Sequence, residues 1–105
     1  MDEVTDATFA DLVLTSSVPV VVQFTAPWCR PCRHVEPVLR GLAEDHAGRV
    51  RVVALDVDTN LQTPSRYGVL TVPTVMLFAG GEPRATVLGA HPRRRYDEAF
   101  AAVLG

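Results

Sequence analysis

The residues of this sequence best suited to chemistry are its only two cysteines, Cys29 and Cys32, which are separated by two residues. A deprotonated thiol attacks disulfides, and two thiols spaced this closely can join in a small ring. The run Val18 to Phe24 before them is mostly β-branched, which is typical of a buried strand. The residues after them carry apolar side chains at three- and four-residue steps, which predicts a helix. The pair is therefore expected at a helix N-terminus, where free N–H groups stabilise a thiolate, with one sulfur exposed and the other buried.

Length and composition limit the kind of protein. A chain of 105 residues with 48% hydrophobic residues supports one globular domain, residues 1–105. Two cysteines are too few for a disulfide framework, and no apolar run approaches membrane length. The first residues lack the features of a signal peptide, so a reducing, cytoplasmic location is expected. The formal net charge of −2 gives no reason to expect nucleic acid or a membrane as a partner.

A metal site at the cysteines is not favoured by the sequence. A structural zinc ion takes about four protein ligands, and the pair supplies two. The three histidines, His34, His46 and His91, stand at no convincing ligand spacing from it. We therefore expect no metal ion held by one chain, and a cluster shared between two chains stays open as an alternative. No bound cofactor is expected either.

The remaining patterns predict an α/β domain. In chain order they indicate an edge strand at Val4 and Thr5, a helix capped by Asp6, the strand before the cysteines, the cysteine-bearing helix, a strand from Arg49 to Val57, a short helix closed by Gly68, a hairpin from Pro73 to Gly89, and a last helix from about Arg93 that buries Tyr96, Phe100, Val103 and Leu104. This order, βαβαβαββα, gives a mixed central sheet with helices on both faces. The arginine run 93–95 in the first turn of the last helix is either a solvated face or a docking patch for an acidic client.

The segment Trp28-Cys29-Arg30-Pro31-Cys32 resembles the Trp-Cys-Gly-Pro-Cys signature of the thioredoxin family. Further matches are Pro37, Tyr67-Gly68, Val72-Pro73-Thr74 and Gly89, and the resemblance runs from about Val4 to the C-terminus. It implies the thioredoxin fold, with a cis peptide bond before Pro73. Trp28 could also be a core residue, but its place beside the cysteine favours the wall of a groove.

The resemblance also implies a function, the reduction of disulfides in client proteins. Cys29 would attack the client and Cys32 would resolve the mixed disulfide, with Pro31 setting the start of the helix. Trp28, Val72, Pro73 and Gly89 would bind the client. Electrons would come from NADPH through a thioredoxin reductase, and the protein would act as a monomer.

Two departures from the family pattern change the expected mechanism. Arg30 replaces a glycine, and its positive charge should favour the Cys29 thiolate and make the couple more oxidising. Gln23 and Ala54 stand where the family has a buried aspartate, which takes the proton of the second cysteine, and a lysine paired with it. Two alternatives stay open: a specialised relative with a narrow client range or an oxidising or isomerising bias, and a redox-inactive binding or chaperone module.

Overall fold

A computed structural model describes residues 1–105 and contains one five-stranded mixed sheet. The strands are β1 (Asp2–Glu3), β2 (Val20–Thr25), β3 (Arg51–Asp56), β4 (Thr74–Ala79) and β5 (Glu82–Leu88), and the helices are a π-helical turn (Ala10–Leu14), α1 (Arg30–Asp45), α2 (Gln62–Arg66) and α3 (Arg93–Leu104). The strand order across the sheet is β1-β3-β2-β4-β5. Strands β1, β3 and β2 are mutually parallel, whereas β4 runs antiparallel to both β2 and β5. The predicted order of elements and the mixed sheet are confirmed.

Each face of the sheet carries its own hydrophobic core, because successive side chains of a strand point to opposite faces. Along β2, Val20, Val22 and Phe24 face one core, whereas Val21 faces the core formed with α1 and α3. The apolar face of α1 packs in the second core through the buried residues Val35, Leu39 and Leu42. This packing fixes α1 across the sheet with its N-terminus at the end of β2.

Two expectations about the edges of the fold were wrong in detail. The edge strand is Asp2–Glu3, and Val4 is a buried core residue whose N–H donates to the Ala54 carbonyl at 2.8 Å. In the last helix Tyr96 and Phe100 are buried as predicted, but Val103 and Leu104 are only half-buried because the helix ends there at the surface. Arg93 pairs with Asp45 and Asp97, so part of the arginine run is neutralised by ion pairs.

The sequence predicts that Asp6 caps the first helix, and this prediction is wrong. The carboxylate of Asp6 instead accepts hydrogen bonds at the start of α2, from the Gln62 N–H at 3.1 Å and from the Thr63 N–H and hydroxyl at 2.9 and 2.7 Å. The Asp6 N–H donates in turn to Asn60 Oδ1 at 2.8 Å. Burial alone would raise the pKa of Asp6, but these hydrogen bonds outweigh it and hold that pKa below its usual value.

Asp6→Asn is expected to destabilise the protein at neutral pH, because the amide keeps an acceptor oxygen but loses the charge that the α2 N–H groups favour. A carboxyl whose pKa is depressed on folding contributes stability above its unfolded pKa and loses it as the pH falls through the folded value. The difference in unfolding free energy between the native protein and the variant should therefore be constant from pH 7 to about pH 5 and shrink below the unfolded value of 3.8. Urea unfolding followed by circular dichroism at several pH values measures it, and a difference independent of pH would contradict the assignment.

Candidate active site

The cysteine pair lies at the N-terminus of α1, where β2 leads into the helix. Cys29 is the N-cap residue, with the extended backbone angles φ −83° and ψ 103°, and its sulfur accepts a hydrogen bond from the Cys32 N–H at 3.2 Å. Pro31 occupies the first helical turn, where its missing N–H costs no hydrogen bond. The two cysteines form a disulfide, with their Cα atoms 5.4 Å apart. The helix start therefore presents an N–H donor to the first sulfur, which is the arrangement that stabilises a thiolate.

The expectation of one exposed and one buried cysteine was wrong for the disulfide form, because Cys29 and Cys32 are each only 3% exposed. They form a small apolar cluster with Ala26, against which Val57 and Val72 pack. The loop after β3 and the loop before β4 thus contribute Val57 and Val72 to the cover of the disulfide. Both cysteines nevertheless belong to the lining of an open surface pocket.

The two residues that depart from the family pattern occupy different environments. Arg30 is exposed and has no acidic partner, so its charge is not neutralised by an ion pair. Gln23 is 2% exposed, and its side-chain amide donates to the Cys32 carbonyl at 3.0 Å. It faces Ala54 directly across the β2–β3 pair. A neutral amide thus supports the backbone of the second cysteine, at the position where the family carries a carboxylate.

Trp28 is 68% exposed, so it is not a core residue. Its indole N–H donates to Asp58 Oδ2 at 2.9 Å, which fixes the orientation of the ring. The ring forms one side of an apolar groove of about 120 Å³, which is also lined by Val57, Val69, Leu70, Thr71 and Val72. This groove lies beside the disulfide, because Val57 and Val72 contact both.

The loop before β4 places a backbone segment next to the disulfide. The Val72–Pro73 peptide bond is cis, as the resemblance implied. The Val72 N–H and carbonyl make no backbone hydrogen bond within the protein. The Gly89 N–H donates to the Pro73 carbonyl at 2.9 Å, and Gly89 has φ +82°, a conformation that favours glycine. Val72 therefore offers an unpaired peptide group at the groove.

The carbonyl of Gly89 also has a hydrogen-bond partner. The Tyr96 hydroxyl donates to it at 3.3 Å. Burial raises the pKa of Tyr96, and this outweighs the opposing effects of the His91 backbone and of Arg95. The tyrosine therefore stays protonated and keeps its donor at neutral pH.

Sequence reasoning did not identify Asp58 as a partner of Trp28. The two residues are 30 positions apart, and the Asp56-Val57-Asp58 segment has no feature that points to an indole. The sequence also did not identify Val57, Val69 and Leu70 as groove residues, because an apolar residue in a loop gives no indication of which surface it joins. No group of three or more His, Cys, Asp or Glu side chains is placed to hold a metal ion. No helix is both long enough and apolar enough to span a membrane.

A disulfide at a helix N-terminus, beside an apolar groove and an unpaired peptide group, defines the class of thiol–disulfide oxidoreductases. The family model described as Thioredoxin matches residues 1–102. The chain belongs to the thioredoxin family, and it is a protein-disulfide reductase that works through its Cys-x-x-Cys pair.

Curated relatives come from several lineages. Thioredoxin 1 of Nostoc sp. is 47% identical over 91 residues, which cover 87% of this chain and 85% of the relative. Thioredoxin of Rickettsia bellii is 42% identical over 95 residues, or 90% of each chain. Thioredoxin M2, chloroplastic, of Arabidopsis thaliana is 43% identical over 90 residues, and the match spans about half of that relative, 48%.

Proposed function

We propose that Cys29 is the attacking sulfur and Cys32 the resolving sulfur of the reduction cycle. The observation that carries this assignment is the hydrogen bond from the Cys32 N–H to the Cys29 sulfur at the helix N-cap, because it favours negative charge on Cys29 rather than on Cys32. The Cys29 thiolate attacks a client disulfide and forms a mixed disulfide. Cys32 then attacks Cys29, which releases the reduced client and leaves the Cys29–Cys32 disulfide.

The client is proposed to bind as an extended segment in the groove between Trp28 and Val72. The free N–H and carbonyl of Val72 support backbone pairing with such a segment, in the manner of an added strand. Trp28 supplies an exposed apolar wall, while Pro73 and Gly89 shape the loop that presents Val72. Pairing between the Val72 backbone and the client backbone would allow many different clients. The groove would favour clients with apolar side chains next to their disulfide.

Electrons are proposed to come from NADPH through a thioredoxin reductase, with no cofactor bound to the chain itself. We propose further that residues 1–105 act as one domain, as a monomer, in the cytoplasm. The test is turnover of insulin disulfides by the protein with NADPH and a general thioredoxin reductase. Activity in that assay is expected, whereas reduction of one particular client alone would favour the specialised relative with a narrow client range, an alternative that the unpaired charge of Arg30 keeps open.

Arg30→Gly is expected to raise the pKa of Cys29 in the reduced protein and to make the couple more reducing. A charge about 6 Å from the sulfur at an effective dielectric of roughly 40 to 80 stabilises the thiolate by roughly 0.7 to 1.4 kcal/mol. For a two-electron couple this corresponds to roughly 15 to 30 mV. The pH profile of alkylation and the equilibrium with glutathione measure both quantities. Arg49→Gly is the matched control, because Arg49 lies beyond the C-terminal end of α1 and far from the cysteines in sequence. Equal profiles for the native protein and Arg30→Gly would reject this role of Arg30.

A further inference from the structure

A polar pocket of about 200 Å³ adjoins the disulfide and shares no lining residue with the client groove. Both cysteines line it, and so do three carboxylates and one guanidinium, from Glu3, Asp56, Glu36 and Arg33. Glu3 and Arg33 are exposed, so the pocket opens to the surface. One water needs only about 10 to 15 Å³ of such space, so the pocket has room for several.

Resolution of the mixed disulfide requires a base near Cys32, because the thiolate attacks and the thiol does not. Cys32 is 3% exposed, which limits its direct contact with bulk water. The side chain that hydrogen-bonds to its backbone is Gln23, whose amide donates to the Cys32 carbonyl and is not a base. The proton of Cys32 must therefore leave by another route, and the polar pocket is the one that the structure provides.

Among the three carboxylates, the burial and hydrogen bonding of Asp56 single it out as the candidate acceptor of that proton. It ends β3, opposite Thr25 at the end of β2, and is half-buried. Its Oδ1 accepts from the Asp58 N–H at 2.8 Å, which orients the carboxylate, and its Oδ2 has no partner in the protein. Glu36 is held instead in an ion pair with Arg40. Glu3 lies on the exposed edge strand.

We propose that Asp56 accepts the proton of Cys32 through water in the polar pocket, in place of a carboxylate on β2. The proposal rests on the assignment of Cys29 as the attacking and Cys32 as the resolving sulfur. In the mixed disulfide, the Cys32 thiol passes its proton through water to Asp56, and the electron pair of the resulting thiolate forms the Cys29–Cys32 bond. The bond between Cys29 and the client sulfur breaks, and the client leaves as a thiolate that takes up a proton from Asp56 or from water. No other oxidant or reductant is needed.

Asp56→Asn separates the two chemical steps. Rapid mixing of the reduced protein with a disulfide-bonded peptide, followed by acid quench and mass spectrometry, measures formation of the mixed disulfide and its resolution independently. Formation should change less than about twofold, whereas resolution near pH 6.5 should slow by about tenfold or more, because a positioned general base typically contributes about 100-fold or more. The difference in resolution rate between the native protein and Asp56→Asn should become smaller as the pH rises, because the Cys32 thiol then ionises without a base. If no mixed disulfide forms even in the native protein, the assignment of the two cysteines fails, which is distinct from failure of the proposal.

Two controls guard against a merely structural effect. Glu36→Gln and Glu3→Gln remove the other carboxylates of the pocket and should leave the resolution rate within about twofold of the native rate. All of these variants keep Arg33. Resolution by the native protein should not depend on the concentration of an imidazole buffer, whereas resolution by Asp56→Asn should rise with it, because the added base replaces the lost acceptor. An unchanged resolution rate in Asp56→Asn, a tenfold loss in Glu36→Gln, or native resolution that rises with buffer would each overturn the proposal. Native resolution that rises with buffer overturns the proposal even if Asp56→Asn does not fold.

Discussion

Replacing Cys29 by serine is expected to reduce the turnover of insulin disulfides to the rate measured without the protein. The serine hydroxyl ionises far less readily than a thiol and forms no bond of comparable lability with sulfur, so the first covalent intermediate is lost. The fold should be retained, since serine is close to cysteine in size and still offers an acceptor atom to the Cys32 N–H at the helix N-cap. The loss would therefore report chemistry rather than unfolding, which circular dichroism of the variant can verify.

The matched variant is Cys32→Ser, which keeps the proposed attacking sulfur and removes the proposed resolving one. It should form a mixed disulfide with the client at a rate close to that of the native protein and then stop, so that a covalent complex accumulates until an added thiol releases it. Non-reducing gel electrophoresis detects the complex. Retained activity in Cys29→Ser would contradict the assigned roles and would favour the binding or chaperone alternative.

Gln23→Asp is expected to destabilise the protein at pH 7 by about 3 to 5 kcal/mol, the cost typical of an uncompensated buried charge. Gln23 is 2% exposed, and an ionised aspartate cannot donate to the Cys32 carbonyl as the amide does. Burial would raise the pKa of the new carboxyl above its unfolded value of about 3.9. A carboxyl with a raised pKa destabilises increasingly as the pH rises from the unfolded to the folded value, so the loss should be small near pH 4 and full above the folded pKa.

Two further variants separate the effect of the buried charge from the effect of losing the hydrogen-bond donor. Gln23→Leu also removes the donor to the Cys32 carbonyl but adds no charge, so its cost should be about 1 to 3 kcal/mol and independent of pH. The double substitution Gln23→Asp with Ala54→Lys places a cation directly across the β2–β3 pair and should recover part of the loss. A cost for Gln23→Asp that is equal at pH 4 and pH 7 would contradict the account of this position.

The regular parts of the fold could be predicted because their sequence patterns are local. The β-branched run before the cysteines became β2, and the α1 stripe at Val35, Leu39 and Leu42 is buried as its spacing indicates. The function of Asp6 could not be predicted, since its partners at the start of α2 lie 56 and 57 positions away. An aspartate before an apolar stretch is typical of a local cap, and only the folded chain shows which helix start it reaches.

In the candidate site, too, the features with local sequence motifs could be predicted, whereas contacts between distant residues could not. The cysteines, Pro31 and the Val72–Pro73 segment carry recognisable local motifs, and the structure places them together at the start of α1. The hydrogen bond of Trp28 to Asp58 and the polar pocket depend on how the ends of β2 and β3 lie beside α1. The low exposure of Cys29 was missed for a similar reason, because the covering residues Val57 and Val72 come from distant loops.

The most direct test of the account is limited alkylation of the reduced protein with iodoacetamide across pH, followed by peptide mapping of each cysteine. Cys29 should be labelled first, at a midpoint below the value of about 8.5 for a free thiol, while Cys32 stays largely unmodified. This outcome would show that reduction makes the Cys29 sulfur both reachable and ionised despite its burial in the disulfide form. Labelling of Cys32 before Cys29, or failure of both to react in the folded protein, would contradict the proposed cycle.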